Sequence, residues 1–576
     1  MASQIPEDFF QKLEAIYLRN VNLKTYWPIE GPILQKIVPL VADQLAFNYR
    51  ILEPRNVGGG GIVVVVEDRN LNTKRALKIS RPSPGTDRLL AKVLASETEN
   101  LRRLSHQNLM RIFAQGIVNV EGNEYPFYVM EFIDGVLDAD DYLMQEGMTA
   151  NNILKVFNGA LAGVEYLHDA GTVHLDIKPD NILVTPSGVP VISDLGFAKQ
   201  LKGEGGFTLI GGTEGFIHPG ARAFVQEAKS DPNRLRGEAL RSALRKEWDL
   251  YSLGKTFLVL LRIFDERNPK ALPVYTRRYL RLMACRLLDG LNAEDERAMG
   301  LTISTYQEIK YSSIKQVRDD LRKILGTYNV EERIPELDAH VTDTIQASTI
   351  STTPFTKRVR NLLVSPAMGQ LANSTQLGLL NLVYPTAVHT RLEHSIGTFS
   401  VLCRMILALY HDPLNPLFRQ IMAEADLKAA LLAGLLHDVG QYPLAHDLEE
   451  ADQNAFSHET LTLQILAEQA SPLRVAIESP DGWDIPIERV MDVLKADPDE
   501  MKGTLKDRIL HSLISGPIDA DKMDYLVRDS LNLGLPYGKV IDIDYLLQCL
   551  TIVFRRSNGH TYASLGIHEK GKVPAE

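Results

Sequence analysis

The chain has 576 residues, with 62 Lys and Arg against 73 Asp and Glu, a formal net charge of -11. At roughly 150 residues per domain this length gives about three to four domains, and the acidic balance argues against a protein that coats nucleic acid or an anionic membrane. Hydrophobic residues make up 45% and charged residues 23%, a globular composition that excludes extended disorder.

Cys285, Cys403 and Cys549 stand far apart, with no CxxC pair. That excludes a disulfide scaffold and a cysteine zinc finger, and it fits a reducing compartment. The N-terminus has no basic region followed by an apolar stretch, so no signal peptide is expected. The longest apolar runs, Ile62–Val66 and Ala429–Leu436, are too short to span a bilayer. The expectation is a cytoplasmic protein with no membrane partner and no nucleic-acid signature.

In chain order, residues 1–48 read as a helical extension, with a helix around Pro32 to Phe47. The β-branched run Ile62–Val66, then Ala76–Ile79 and Phe127–Met130, predict strands, and Leu89–Leu104 is patterned as a helix. The charged, Arg-rich segment Gln226–Lys246 reads as a solvated helical insertion. Residues 327–353, polar and rich in Thr, read as an interdomain linker, and the pattern from 355 onward is almost purely helical.

Two constellations carry chemistry. In the first, Asn56-Val57-Gly58-Gly59-Gly60-Gly61 precedes the valine run. Glycines without Cβ atoms let backbone N–H groups approach a polyphosphate. Lys78 lies on the next strand and needs an anionic partner, for which Glu97 is the candidate. The decisive stretch is His174-Leu175-Asp176-Ile177-Lys178-Pro179-Asp180-Asn181, followed by Ser193-Asp194-Leu195-Gly196.

With five motifs in register, residues 49–326 resemble the eukaryotic-type serine/threonine protein kinase domain, a bilobal α+β fold. The resemblance implies ATP with Mg2+ as cofactor. Asp176 would accept the proton of the attacking hydroxyl, and Lys178 would neutralise the moving phosphoryl group. Asn181 and Asp194 would hold magnesium. Gly58 and Gly61 would cover the phosphates, Lys78 would hold them, and Glu97 would hold Lys78. Glu131 to Ile133 would receive adenine through backbone groups, with Met130 guarding the pocket behind, Thr213 would line the peptide site, and Asp249 would brace the catalytic loop. The helical extension would cap the small lobe. Four positions depart from the pattern: Asn56 for the first glycine, Leu175 for the arginine before the catalytic Asp, Leu195 for the usual Phe, and His218-Pro219-Gly220 for Ala-Pro-Glu. Leu175 removes the usual partner of a phosphorylated activation loop. The catalytic residues are intact, so a working kinase is favoured over a pseudokinase.

The second constellation is His437-Asp438 at the end of an apolar run, with His389-Thr390-Arg391-Leu392-Glu393-His394-Ser395 upstream. Gly440 to His446 follows directly, and Ile518 to Asp529 lies downstream. A His and an Asp at a helix end can converge on one ion through nitrogen and oxygen. These runs, with Tyr384-Pro385, resemble the HD-domain phosphohydrolases, and among them the deoxynucleoside triphosphate triphosphohydrolases (dGTPase-like), over residues 354–576.

The resemblance implies an all-α domain whose ligands to one divalent transition metal (Fe, Mn, Zn or Ni) are His394, His437, Asp438 and Asp521. Arg391, Lys522 and Tyr525 would grip the triphosphate, and Asp529, with Gln376 and Leu377, would read the sugar. His446 and His458 would contact phosphates, and His458 with Glu449 would form an acid–base pair. Gln441 stands where the family usually has a histidine, and glutamine carries no proton near neutral pH. In the family, further helices that help build oligomers follow such a strand-like pair, so the chain reads as a fragment and homo-oligomerisation is expected.

The expectation is therefore a multidomain phosphate enzyme: an ATP-dependent kinase of an unspecified protein substrate, joined to a hydrolase that cleaves a dNTP to deoxynucleoside and triphosphate. Two other readings stay open. One is an active kinase with a nucleotide-sensing HD domain, and the other is an HD hydrolase with a pseudokinase scaffold.

Overall fold

A computed structural model describes residues 5–21, 23–58, 61–82, 103–195, 199–200, 215–230, 245–288, 307–338, 343–346, 352–444, 449, 457–498, 500–557 and 560–568. Glu97, Thr213, His446 and most of the insertion Gln226–Lys246 lie outside these residues, as does most of the expected helix Leu89–Leu104. The chain forms two compact units. The first comprises Met1–Pro273, Met283–Asp289 and Tyr311–Leu321, and the second Val274–Leu282, Gly290–Lys310 and Arg322–Glu576.

The first unit begins with two helices, α1 (Phe9–Arg19) and α2 (Trp27–Leu45), and an antiparallel sheet of β1 (Tyr49–Gly58), β2 (Gly61–Asp68), β3 (Thr73–Ile79), β4 (Ile112–Val120) and β5 (Asn123–Glu131). Spatial order in the sheet is β1-β2-β3-β5-β4. β-branched residues hold β2 extended, and its alternation sends Ile62, Val64 and Val66 to one face. That face is closed by the helices. In α2, Leu34, Ile37, Val38 and Val41 follow a helical stripe, in α1 Phe9, Leu13 and Tyr17 do, and all share one buried core with Leu77, Ile79, Phe127 and Val129. Val65 and Ala76, on the other face, are buried too. The register pairs Lys78 with Tyr128 and Ala76 with Met130 across β3 and β5, so Lys78 and Tyr128 project from the same face.

One ionic knot lies where α2 meets the end of β3. Glu30 is fully buried and accepts hydrogen bonds from Arg81 Nε (2.8 Å), Arg81 Nη2 (2.9 Å) and the Tyr17 hydroxyl (2.7 Å). Arg81 also lies 5.1 Å from the centroid of the Tyr26 ring.

The remainder of this unit is mostly helical. Helix Ala150–Asp169 opens on a capping box of Thr149 and Asn152 and packs on helix Lys246–Arg267 through stacked Phe157 and Phe257, 3.9 Å between centroids. A small sheet of Leu137–Asp138, Ile182–Val184 and Pro190–Ile192 frames the segment from His174 to Asn181.

The second unit is built around helix Arg391–Tyr410, which opens on a capping box of Thr390 and Glu393. Phe399, Leu402, Met405, Ile406 and Leu409 form its core with helix Glu424–Leu436. The central helix has the length and apolarity of a membrane span, with 72% of that stretch buried inside the fold. Helix Ala520–Leu533 crosses it closely at Gly397, where a Cβ would overlap the Asp524 and Arg528 side chains. Val330, Ile334 and Leu337, from the polar stretch 327–353, lie in this core, and the fully buried Glu336 carboxylate there binds Arg358. An antiparallel hairpin, Leu550–Ser557 with His560–Ile567, accompanies the helices.

Removing one member of a buried ion pair strands the other, a loss of about 3–5 kcal/mol. Glu30→Gln is therefore expected to destabilise the first unit by roughly that amount in urea unfolding, and a loss under ~1 kcal/mol would show that Arg81 finds another partner.

Candidate phosphoryl-transfer and metal sites

In the first unit, the segment from His174 to Asn181 is held by Asp249, which is fully buried on helix Lys246–Arg267. Its carboxylate accepts from the backbone N–H of His174 (2.7 Å) and of Leu175 (2.8 Å) and from His168 Nε2 (2.9 Å). Burial pushes this carboxyl up, but the hydrogen bond and charge of His168, with the donors around His174, outweigh it and hold the group below the usual carboxylate range. Leu175 takes a left-handed backbone, φ 71°, a conformation that costs about 1–3 kcal/mol in a non-glycine residue and persists only where its surroundings impose it. The Asp249 bonds impose it here. The Leu175 side chain is buried with Val173, Ala221 and Trp248, an apolar plug where the kinase pattern has a cation.

This loop delivers the predicted residues together. Asn181 Nδ2 donates to the Asp176 carbonyl (2.7 Å) and to its Oδ2 (2.9 Å), and Lys178 Nζ lies 4.0 Å from the same Oδ2. Asp194 is also left-handed, φ 58°. Its Oδ2 pairs with Lys78 Nζ at 2.6 Å, and its Oδ1 accepts from the Tyr128 hydroxyl at 3.0 Å. Burial raises the Asp194 carboxyl, yet the Lys78 charge and hydrogen bond carry it below its ordinary value. Gly61 needs its glycine, because φ is 158° and a Cβ would overlap the Ile79 carbonyl. Glu131 and Ile133 follow directly at the end of β5. The oxygen donors of Asp194, Asn181 and Asp176 suit a hard cation such as magnesium.

In the second unit, His394 Nε2 lies 2.8 Å from Asp521 Oδ1, and His437 Nε2 is 3.6 Å from both Asp521 Oδ1 and Asp438 Oδ1. Donor atoms of His394, His437 and Asp438 fall within 4.8 Å of one another. Each imidazole is oriented by its other nitrogen. His437 Nδ1 donates to the Gly434 carbonyl (2.9 Å), and His394 Nδ1 lies 2.9 Å from Asp524 Oδ2. Asp524 is in turn clamped by Arg528 Nε and Nη2, both at 2.8 Å. That is the support a metal-binding histidine requires. Burial works against a charged His394, but the hydrogen bonds to Asp521 and Asp524 push it up to about 10, while the same contacts hold Asp521 well below the carboxylate range. Two nitrogens and two carboxylates in this arrangement fit a divalent transition metal.

Around this cluster, Arg391 is 3% exposed and its Nη1 lies 3.6 Å from Asp438 Oδ2, while its Nε has no hydrogen-bond partner among the described residues. Gln441 is buried, with Nε2 3.4 Å from Asp438 Oδ1. His458 Nδ1 is 2.7 Å from Glu449 Oε1. The helix His458–Ala467 is fastened to the His437-Asp438 turn by Thr462, whose hydroxyl donates to the His437 carbonyl (3.1 Å) and accepts from Gly440 N–H (3.0 Å). Other predicted residues are engaged locally. Lys522 Nζ bonds Asp519 Oδ2 (2.7 Å) and the Gly516 carbonyl (2.9 Å), and Asp529 Oδ1 bonds His389 Nε2 (2.8 Å). Gln376 donates its N–H to the His389 carbonyl, Leu377 is half-buried beside it, and Tyr525 is half-buried on the Ala520–Leu533 helix.

Tyr128, Asp524, Arg528 and Thr462 had no role in the sequence reading. For Asp524 and Arg528 a signal existed: they stand three and seven residues after Asp521, on the same helical face.

Comparison with known proteins agrees with this division. Residues 53–264 match the family model described as the protein kinase domain, and residues 391–511 match the HD domain. The chain carries a protein kinase domain joined to an HD domain. Serine/threonine-protein kinase PknB of Mycobacterium tuberculosis is 23% identical over 312 residues, 54% of this chain and 47% of PknB. An uncharacterised protein of Methanocaldococcus jannaschii is 31% identical over 33% of this chain and 34% of its own length. The chain thus spans less than half the length of these curated relatives. Among solved structures, the PknI kinase domain of Mycobacterium tuberculosis aligns at 17% identity over 48% of this chain and 96% of its own, with a TM-score of 0.33.

Because the Asp249 carboxyl sits below its unfolded value, its stabilisation is complete above the ordinary carboxylate range, about pH 4, and is lost as pH falls through the folded value. Asp249→Asn should cost about 1–3 kcal/mol near neutrality by leaving buried donors unsatisfied. It should also flatten the loss of stability as pH falls below about 4 in urea titrations, and parallel pH profiles of variant and wild type would contradict the assignment.

Proposed function

We propose that the kinase domain transfers the γ-phosphoryl group of ATP to a serine or threonine hydroxyl of a protein, and that the HD domain hydrolyses a deoxynucleoside triphosphate to deoxynucleoside and triphosphate. The observation that supports the reading is that each unit pairs donors on braced backbone: Asp176 with Asn181 and Asp194 with Lys78 in one, and in the other His394, His437 and Asp438 clustered together, with Asp521 against His394. In the kinase domain, Asp176 takes the proton of the attacking hydroxyl while Lys178, close to the same carboxylate, balances charge on the moving group. Lys78 holds phosphate oxygens, and magnesium bound at Asn181 and Asp194 supplies charge neutralisation.

In the HD domain, a divalent metal supplies Lewis acidity and lowers the pKa of a water. Arg391, buried beside Asp438, offers N–H donors to a phosphate. The Glu449–His458 pair is the acid–base candidate for the leaving oxygen.

Gln441 favours a second reading, in which the HD domain binds nucleotide without cleaving it, because a buried amide beside Asp438 carries no proton. The test is a product assay on manganese- or iron-loaded protein with each dNTP in turn. Triphosphate release that is lost in His437→Ala is the expected result, whereas tight binding with no turnover would select the second reading. In parallel, phosphate transfer from ATP to a generic protein acceptor should fall by at least about 10²-fold in Asp176→Asn, given the usual contribution of a positioned general base. Transfer that is unchanged would assign the first unit a scaffold role.

A further inference from the structure

Asp194 is held twice. Lys78 takes Oδ2, and the Tyr128 hydroxyl donates to Oδ1 at 3.0 Å. Lys78 and Tyr128 are direct cross-strand partners on β3 and β5, so their side chains rise side by side from one face of the sheet and close on the same carboxylate. Tyr128 is half-buried, and a phenolic hydroxyl is a hydrogen-bond donor near neutral pH. A carboxylate oxygen has two lone-pair directions. One is taken by the phenol, and among the described residues no second donor reaches this oxygen, which leaves the other direction for a cation. Asp194 sits on a left-handed backbone, φ 58°, a conformation that costs energy in a non-glycine residue.

We propose that Tyr128 is a positioning residue for magnesium: its hydroxyl fixes the rotamer and charge of Asp194 so that the carboxylate meets the nucleotide-bound ion without reorganising. The inference rests on the kinase reading above. It assigns a role that Lys78 alone does not fill, because a flexible ammonium constrains one oxygen and leaves rotation about the Cβ–Cγ bond free, whereas two donors on the two oxygens fix the plane of the group. Partners of this kind, bonded to a metal-binding carboxylate rather than to the metal, commonly change metal affinity by about 10–100-fold when removed.

Tyr128→Phe keeps the ring and deletes only the hydroxyl, so the sheet core is undisturbed. Calorimetric titration of ADP, with and without Mg2+, and of Mg2+ into the ADP-saturated protein separates nucleotide binding from metal binding without any turnover. The expected result is a rise of about tenfold in the Mg2+ concentration at half-saturation, with metal-free ADP affinity unchanged within about twofold. A Mg2+ midpoint that stays put or moves lower overturns the proposal. So does an equal loss of ADP affinity with and without Mg2+, which would mark Tyr128 as part of the general packing of the pocket. Failure of wild type to bind ADP at all would instead remove the kinase reading on which the inference stands.

Discussion

The loop from His174 to Asn181 depends on one buried carboxylate. Asp249 is reached by two consecutive backbone N–H groups and an imidazole, and in a low-dielectric interior such groups are costly to leave unmet. The loop has no regular hydrogen-bond ladder of its own around Leu175, so its left-handed turn exists because a distant helix supplies the acceptor. Asp176, Lys178 and Asn181 inherit their relative placement from that turn, and His174, whose Nε2 donates to the Ser193 carbonyl at 2.9 Å, passes it to the strand end that carries Asp194.

The HD domain solves a related problem with a related device. Asp524, fully buried between Arg528 and His394, sets which imidazole nitrogen faces the ligand cluster. In both units the acid of the candidate site is not the one that determines geometry. The determining group is a second acid, fully dry and fully hydrogen-bonded, one layer further in. The close approach at Gly397 allows this in the HD domain, because the two helices could not otherwise bring Asp524 within reach of His394.

How much of this was legible from sequence follows from where each signal resides. Lys78, Asp176, Asn181, Asp194, His394, His437 and Asp438 stand in short runs whose residue types and spacing have few other uses, and these runs single them out as candidates. Tyr128, 66 residues from Asp194, and Asp524, 130 residues from His394, are partnered only through the fold. A tyrosine in an apolar strand looks like any other core aromatic until the register places it opposite Lys78. The pair Glu30 and Arg81, 51 residues apart, was equally silent, since a buried acid is indistinguishable in sequence from an exposed one. The stretch 327–353 is polar overall, yet Val330, Ile334 and Leu337 recur at helical intervals and lie in the HD core.

The helices α1 and α2 have a consequence for where the kinase domain begins. The family match starts at residue 53, after both helices. In this chain β2 buries Val64 and Val66 on one face and Val65 on the other, which is why it reads as an unbroken valine run rather than an alternating one. A fragment cut at the start of the match would present Ile62, Val64, Val66, Leu77 and Phe127 to water as one continuous greasy surface, and would leave the Arg81 guanidinium without its carboxylate. The two helices share one hydrophobic core with the sheet, so the extension is part of its hydrophobic economy rather than an appendage to it.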